Sequence, residues 1–140
     1  MAIPLYLNNP HTNYTMRKEI SILEDDWDIM EVFRLLLNDE GYKVNSFANV
    51  SSLLASTAKP DLYLLDIRLP DGNGIEVCEQ LKDDPRFSGI PIMMLSAHAD
   101  KSVMMKNCRA DEFMEKPFDI DRLLERVAAL LSLHKGRKIE

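Results

Sequence analysis

Five residues scattered along the chain have types that could share one reaction: Glu24, Asp25, Asp66, Ser96 and Lys116. Each lies at the end of a short apolar run that reads as a β-strand. Three carboxylates held within ~4–6 Å repel one another and resist ionisation unless a cation sits among them. Oxygen-only donors on loops suit Mg²⁺, which takes few protein ligands and keeps several waters, with Mn²⁺ as an alternative. A carboxylate beside such a metal, with a lysine to hold phosphoryl oxygens, makes a competent acceptor nucleophile. Taken singly, each residue has an ordinary reading. Acids after strands cap helices, an aspartate starts a turn, a serine caps, and a lysine ends in solvent. Only a fold that gathers all five turns them into a site.

The elements that would gather them are legible as periodicity. Ile20, Ile22 and Leu23 form a short strand ending at Glu24-Asp25-Asp26. Ile29, Val32, Phe33, Leu36 and Leu37 then repeat at helical spacing, and Gly41 offers a C-terminal cap. Tyr42 to Phe47 is a weaker alternating strand, and Asn49 caps a short helix carrying Val50, Leu53 and Leu54, bounded by Pro60. The run DLYLLD is apolar between acidic ends, as expected of a strand covered on both faces. The turn-rich loop IRLPDGNG leads to a helix on Ile75, Val77, Cys78 and Leu81. Ile90 to Leu95 repeats the buried-strand pattern, Ser102 to Cys108 reads as an irregular helix, and Asp111 to Glu115 is a fifth strand. The last helix, Asp119 to about His134, carries Leu123, Leu124, Val127, Leu130 and Leu131 on one stripe. Five strands alternating with five helices through short links force right-handed crossovers. The expected fold is a doubly wound α/β sheet, five parallel strands in the flavodoxin-like order 2-1-3-4-5 with helices on both faces. Ligands in such sheets bind outside the carboxyl ends of the strands, where the order reverses.

The 140 residues suit one domain, divided here into an N-terminal arm (1–18), a folded body (19–134) and a tail (135–140). Seventeen Lys and Arg against 23 Asp and Glu give a formal charge of −6. That balance argues against a global electrostatic grip on nucleic acid or an anionic membrane. No run approaches the ~20 apolar residues of a membrane span, and the first residues lack the apolar core of a secretion signal. Cys78 and Cys108 form no CxxC and sit among apolar neighbours, so reduced core thiols of a cytoplasmic protein are expected. Neither GxGxxG nor GxxxxGK[ST] is present, so dinucleotide and P-loop sites lack their phosphate cradles.

The segments ISILEDD, LYLLDIRLPDGNG, IMMLSAHA and DEFMEKPF, in this order and spacing, resemble the receiver domain of bacterial two-component response regulators, the CheY-like family. The resemblance covers about Glu19 to His134. It implies a phosphoacceptor module of a phosphorelay in which Asp66 takes phosphate from a sensor histidine kinase or histidine phosphotransfer protein. It further implies Asp25 as a direct Mg²⁺ ligand, Glu24 as its acidic partner, and a backbone carbonyl of Arg68 as another metal donor. Ser96, Ala97 and Lys116 match the phosphate-binding positions. Ser96 and Phe113 match a hydroxyl–aromatic switch that reshapes the surface of the fourth helix, fifth strand and fifth helix. The Lys116-Pro117 bond matches one that is usually cis in the family.

Where receivers usually read Gly-Ala-Asp before the fifth strand, this chain has Arg109-Ala110-Asp111, which leaves the end of the fourth helix in question. Arg68 and His98 match variable positions that tune loss of the phosphate. Asp111 and Arg126 match charges that pair across a symmetric dimer in some receivers. The resemblance implies self-modification rather than turnover of an external substrate. Its output would be a downstream protein or an output domain not among these residues. The alternative is a metal-dependent phosphohydrolase of the same fold, disfavoured because Arg68 stands where such enzymes usually place a second acid.

Overall fold

A computed structural model describes residues 17–97 and 108–139, with side chains described as far as Leu133. Most of the predicted arm, His98 and nearly all of the expected fourth helix lie outside the described residues.

Five parallel strands form one sheet: β1 (Glu19–Leu23), β2 (Lys43–Phe47), β3 (Leu62–Asp66), β4 (Ile92–Ser96) and β5 (Glu112–Glu115). Their order is β2-β1-β3-β4-β5, as the alternating pattern predicts. β3 and β4 are buried along their whole length because helices cover both faces. Strand alternation divides the core into two layers. Ile20, Ile22, Leu64, Met93 and Leu95 face α1 (Trp27–Asp39) and the C-terminal helix (Ile120–Ile139). Leu23, Leu65, Ile92 and Met94 face α2 (Val50–Ala55) and α3 (Gly74–Asp83).

Local chemistry explains the helix starts. Asp26 caps α1 by accepting from the Ile29 amide at 3.0 Å, Asn49 caps α2 from the Ser52 amide at 2.8 Å, and Asn73 caps α3 from the Ile75 amide at 2.7 Å. Gly41 ends α1 with φ of 92°, a conformation that side chains rarely tolerate.

Four expectations need revision. Val32 is 46% exposed, and Met30 fills the core position on α1 instead, because the helix sits rotated toward Met30, Phe33 and Leu37. The fourth strand begins at Ile92 rather than Ile90, and the fifth at Glu112 rather than Asp111. The C-terminal helix continues to Ile139, past His134. No proline interrupts that stretch.

Candidate functional site

The parallel register sets the carboxyl ends of β1, β3, β4 and β5 side by side. Leu23 pairs with Leu65, Asp66 with Leu95, and Ser96 with Glu115, so the residues that end each strand share one rim. The next residue along β5 closes the group, since the Lys116 amide donates to the Ser96 carbonyl at 2.7 Å. The Lys116-Pro117 bond is cis.

At this rim Glu24, Asp25 and Asp66 place carboxylate oxygens within 4.8 Å of one another. Glu24 is 2% exposed and Asp66 8%, whereas Asp25 opens to solvent. The Lys116 ammonium reaches in from the other side, 2.8 Å from Glu24 Oε1 and 3.3 Å from Asp66 Oδ2. The second Glu24 oxygen accepts from the Asp26 amide at 3.0 Å. Asp66 Oδ1 accepts from the Ile67 amide at 2.9 Å, leaving Oδ2 turned toward the lysine. Ser96 is buried beside them at 1% exposure. Ala97 is exposed just past β4.

Burial pushes the Glu24 carboxyl above its usual range, and the nearby Asp66 charge adds to that; bonds from Lys116 and the Asp26 amide offset only part. Burial pulls the Lys116 ammonium down, but its bond to Glu24 and the charges of Asp66 and Glu24 outweigh this and raise it. The desolvation penalty of the pair therefore falls on Glu24, whose side chain is 1% exposed against 22% for Lys116.

Three carboxylates against one ammonium leave a formal excess of two negative charges. A hard divalent cation with oxygen ligands matches that donor set and that excess. The arrangement fits Mg²⁺ through Glu24, Asp25 and Asp66.

The loop after β3 completes the rim. Arg68 and Leu69 pair antiparallel with Gly72 and Asn73 in a short hairpin. Gly74 follows, its amide donating to the Ile67 carbonyl at 2.7 Å. A Cβ at Gly74 would overlap the Asp66 carbonyl oxygen, so only glycine lets α3 start this close to the acid.

Asp71 in this loop had no sequence signal beyond turn composition. Its carboxylate accepts from the Val50 and Ser51 amides, at 2.8 and 3.0 Å, and so ties the loop to the start of α2. The two segments lie 20 residues apart, a separation no local pattern reveals.

The structure divides the acids of EDD, all three of which could have been caps by sequence: Glu24 and Asp25 face the site, and Asp26 is the helix cap. Arg109 replaces the expected glycine with a clamp onto α3. It donates to Glu79 Oε1 from Nε at 2.7 Å and to Asp83 Oδ1 from Nη2 at 2.7 Å. Asp111 and Arg126 already have partners within the chain: Lys82 Nζ lies 2.9 Å from Asp111, and Arg126 grips Glu112 through two bonds of 3.0 and 2.8 Å. Phe113 is half-buried in the layer shared with Met94, its partner in register.

A doubly wound parallel sheet that gathers carboxylates, a buried hydroxyl and an ammonium at one rim defines a class of α/β protein able to hold a divalent cation beside an anion. The chain belongs to the response regulator receiver domain family, whose model matches residues 20–128. It is similar to the DNA-binding response regulator MtrA of Mycolicibacterium smegmatis, 36% identical over 130 residues, covering 90% of this chain and 56% of that protein. It also resembles the KDP operon transcriptional regulatory protein KdpE of Escherichia coli, 34% identical over 121 residues, covering 84% of this chain and 52% of that protein. The chain thus spans about half the length of the curated relatives it matches. Among solved structures, it superposes on the signal receiver domain of a signal transduction histidine kinase from Syntrophus aciditrophicus with a TM-score of 0.76. That match has 30% identity and covers 82% of this chain and 90% of that one. NtrX from Brucella abortus superposes with a TM-score of 0.79 and 28% identity, over 88% of this chain and 28% of that one. No helix among the described residues is long and apolar enough to cross a membrane.

Proposed function

We propose that Asp66 is the phosphoacceptor of this receiver and that it takes its phosphoryl group from a histidine of a sensor kinase or phosphotransfer protein. The observation that carries this reading is the convergence of Glu24, Asp25 and Asp66 within 4.8 Å, with Lys116 bonded to two of the three. Asp66 Oδ2 is the nucleophile, because Oδ1 is engaged by the Ile67 amide. Glu24, Asp25, Asp66 and a backbone carbonyl of Arg68 would hold Mg²⁺. When bound, that ion supplies charge neutralisation and orientation for the transferring group.

Lys116 holds a phosphoryl oxygen, and Ser96 and Ala97 complete the cradle from the end of β4. The new group adds ~1.5–2 negative charges among carboxylates, so the ammonium and the hydroxyl are drawn toward it. Ser96, Met94 and Phe113 lie on one face of the sheet, which lets movement of the Ser96 hydroxyl be answered by the Phe113 ring. β5 and the C-terminal helix then present the changed surface to a downstream protein. The named relatives are DNA-binding and transcriptional regulators, so a transcription regulator is a fitting recipient. This domain itself makes no nucleic-acid contact in the proposal.

An apolar hollow of about 440 Å³ flanks Lys116, lined by Ile29, Val32, Phe33, Pro117, Phe118 and Ile120. It suits a partner that presents a histidine between apolar side chains. A homodimer through β5 and the C-terminal helix would require Asp111 and Arg126 to exchange their present partners, and surface pairs of this kind contribute little.

The test is intact mass after incubation with a small phosphodonor and Mg²⁺. Wild type gains one phosphoryl group and Asp66→Asn gains none. Equal labelling of the variant would overturn the assignment. The chain modifies itself and turns over no external substrate, so steady release of phosphate from a simple ester would equally contradict the reading.

A further inference from the structure

Outside the acidic rim, the two cysteines form a second reactive cluster. Cys78 lies on α3 and is fully buried; Cys108 precedes β5 and is partly buried. They stand 30 residues apart in the sequence, yet their sulfurs lie within 4.8 Å of each other. A disulfide spans about 2.05 Å between sulfurs, so the pair is close and closing the bond would draw the two sulfurs together.

The approach is held in place. Arg109, next to Cys108, donates its amide to Glu79 at 2.9 Å and its guanidinium to Glu79 and Asp83, pinning this stretch onto α3. Glu79 also lies near both sulfurs, but its carboxylate is committed to Arg109, which leaves the thiols to each other rather than to a metal.

The pair is chemically unequal. The hydrogen bond from Cys78 holds the Cys108 thiol down to about 7, burial opposes this, and a bond from the Ala110 amide assists. The same bond, together with burial, pushes the Cys78 thiol up. The accessible sulfur is thus the better nucleophile and the buried one keeps its proton.

We propose that Cys78 and Cys108 form an oxidant-sensitive dithiol, a modification site that hydrogen peroxide closes to a disulfide. Cys108 sulfur attacks one peroxide oxygen; the S–O bond forms as the O–O bond breaks, and the departing hydroxide takes a proton to become water. Cys108 is oxidised to a sulfenic acid and the peroxide is reduced. Cys78 sulfur then displaces hydroxide from the sulfenic sulfur, and the Cys78 proton leaves with it as a second water. The bond cross-links α3 to the stretch leading into β5, within the layer that carries Met94 and Phe113.

The test uses the full chain treated with hydrogen peroxide and then alkylated without reductant. Both thiols are expected to vanish together, with a mass loss of about 2 Da that a reductant restores. Cys78→Ser is expected to stop at a sulfenic acid on Cys108, trapped by a dimedone probe. In Cys108→Ser the remaining thiol is expected to stay reduced. Asp66→Asn must close as readily as wild type, because the site is independent of the phosphate chemistry. Independent loss of the two thiols, oxygen addition without the paired loss, or disulfides only between chains would each overturn the proposal.

Discussion

Replacing Gly74 by alanine sets two effects against each other. In a helix, alanine is favoured over glycine by about 1 kcal/mol, so propensity alone predicts a more stable protein. The structure predicts the reverse. The added methyl would overlap the Asp66 carbonyl oxygen and stand 2.8 Å from the Asp66 carbonyl carbon and 3.2 Å from Ile67 Cα. Carbon atoms in favourable contact sit ~3.5–4.0 Å apart, and backbone atoms cannot rotate away as a side chain would. Overpacking costs ~1–3 kcal/mol where neighbours can adjust, and an unyielding neighbour puts this case at the upper end. Subtracting the propensity gain leaves a net loss of ~2 kcal/mol. With a urea dependence of ~2 kcal/mol per molar, the unfolding midpoint should fall by ~1 M at unchanged slope. Because the displaced atoms belong to Asp66 and Ile67, the initial rate of phosphate uptake should fall as well. Gly89→Ala is the control. Nothing lies within 4 Å of a Cβ there, and the variant should match wild type or gain ~0.4–1 kcal/mol. If Gly74→Ala unfolded within ~0.5 kcal/mol of wild type and took up phosphate at the same rate, the steric argument for this loop would be refuted.

Three further outcomes are expected. Phe33 is fully buried and stacks on Phe118 with ring centroids 5.4 Å apart, so Phe33→Ala should cost ~3–5 kcal/mol by urea unfolding; a loss below ~1 kcal/mol would contradict that packing. The Val50 and Ser51 amides hold the Asp71 carboxyl below its usual range. The folded state therefore binds fewer protons than the unfolded chain near pH 4, and the tie to α2 is intact above that pH and lost as pH falls through the lowered value. Protection of those two amides, their exchange relative to the unstructured rate at the same pH, should fall across this window in wild type, whereas Asp71→Ala should leave them unprotected throughout. Mg²⁺ at tenfold its dissociation constant should stabilise the fold by ~1.4 kcal/mol. Trp27 lines the same hollow as Glu24 and Asp25, so its fluorescence should report that titration, and Asp25→Asn should weaken it.

The alternation of strand and helix, the apolar runs LYLL and IMML, and the cap Asn49 were all readable from local pattern. They depend on neighbours within a turn or a strand. Strand limits and helix faces were less legible. Val32 and Met30 fit the helical period equally well, and only packing against β1 and the C-terminal helix chose Met30 for the core. Arg109 read as a departure from a glycine, and its anchorage on Glu79 and Asp83 became visible only when α3 lay alongside.

The acidic balance, the alternation of strands with helices and the candidate residues Glu24, Asp25, Asp66, Ser96 and Lys116 were therefore legible in the sequence, because residue type and period report local structure directly. Tertiary structure decided which of those acids meet, how Lys116 divides its charge between Glu24 and Asp66, and that Asp71 anchors α2. It also brought Cys78 within reach of Cys108. Each of these is a contact between residues far apart in the chain, and only the packing of helices on a parallel sheet sets such distances.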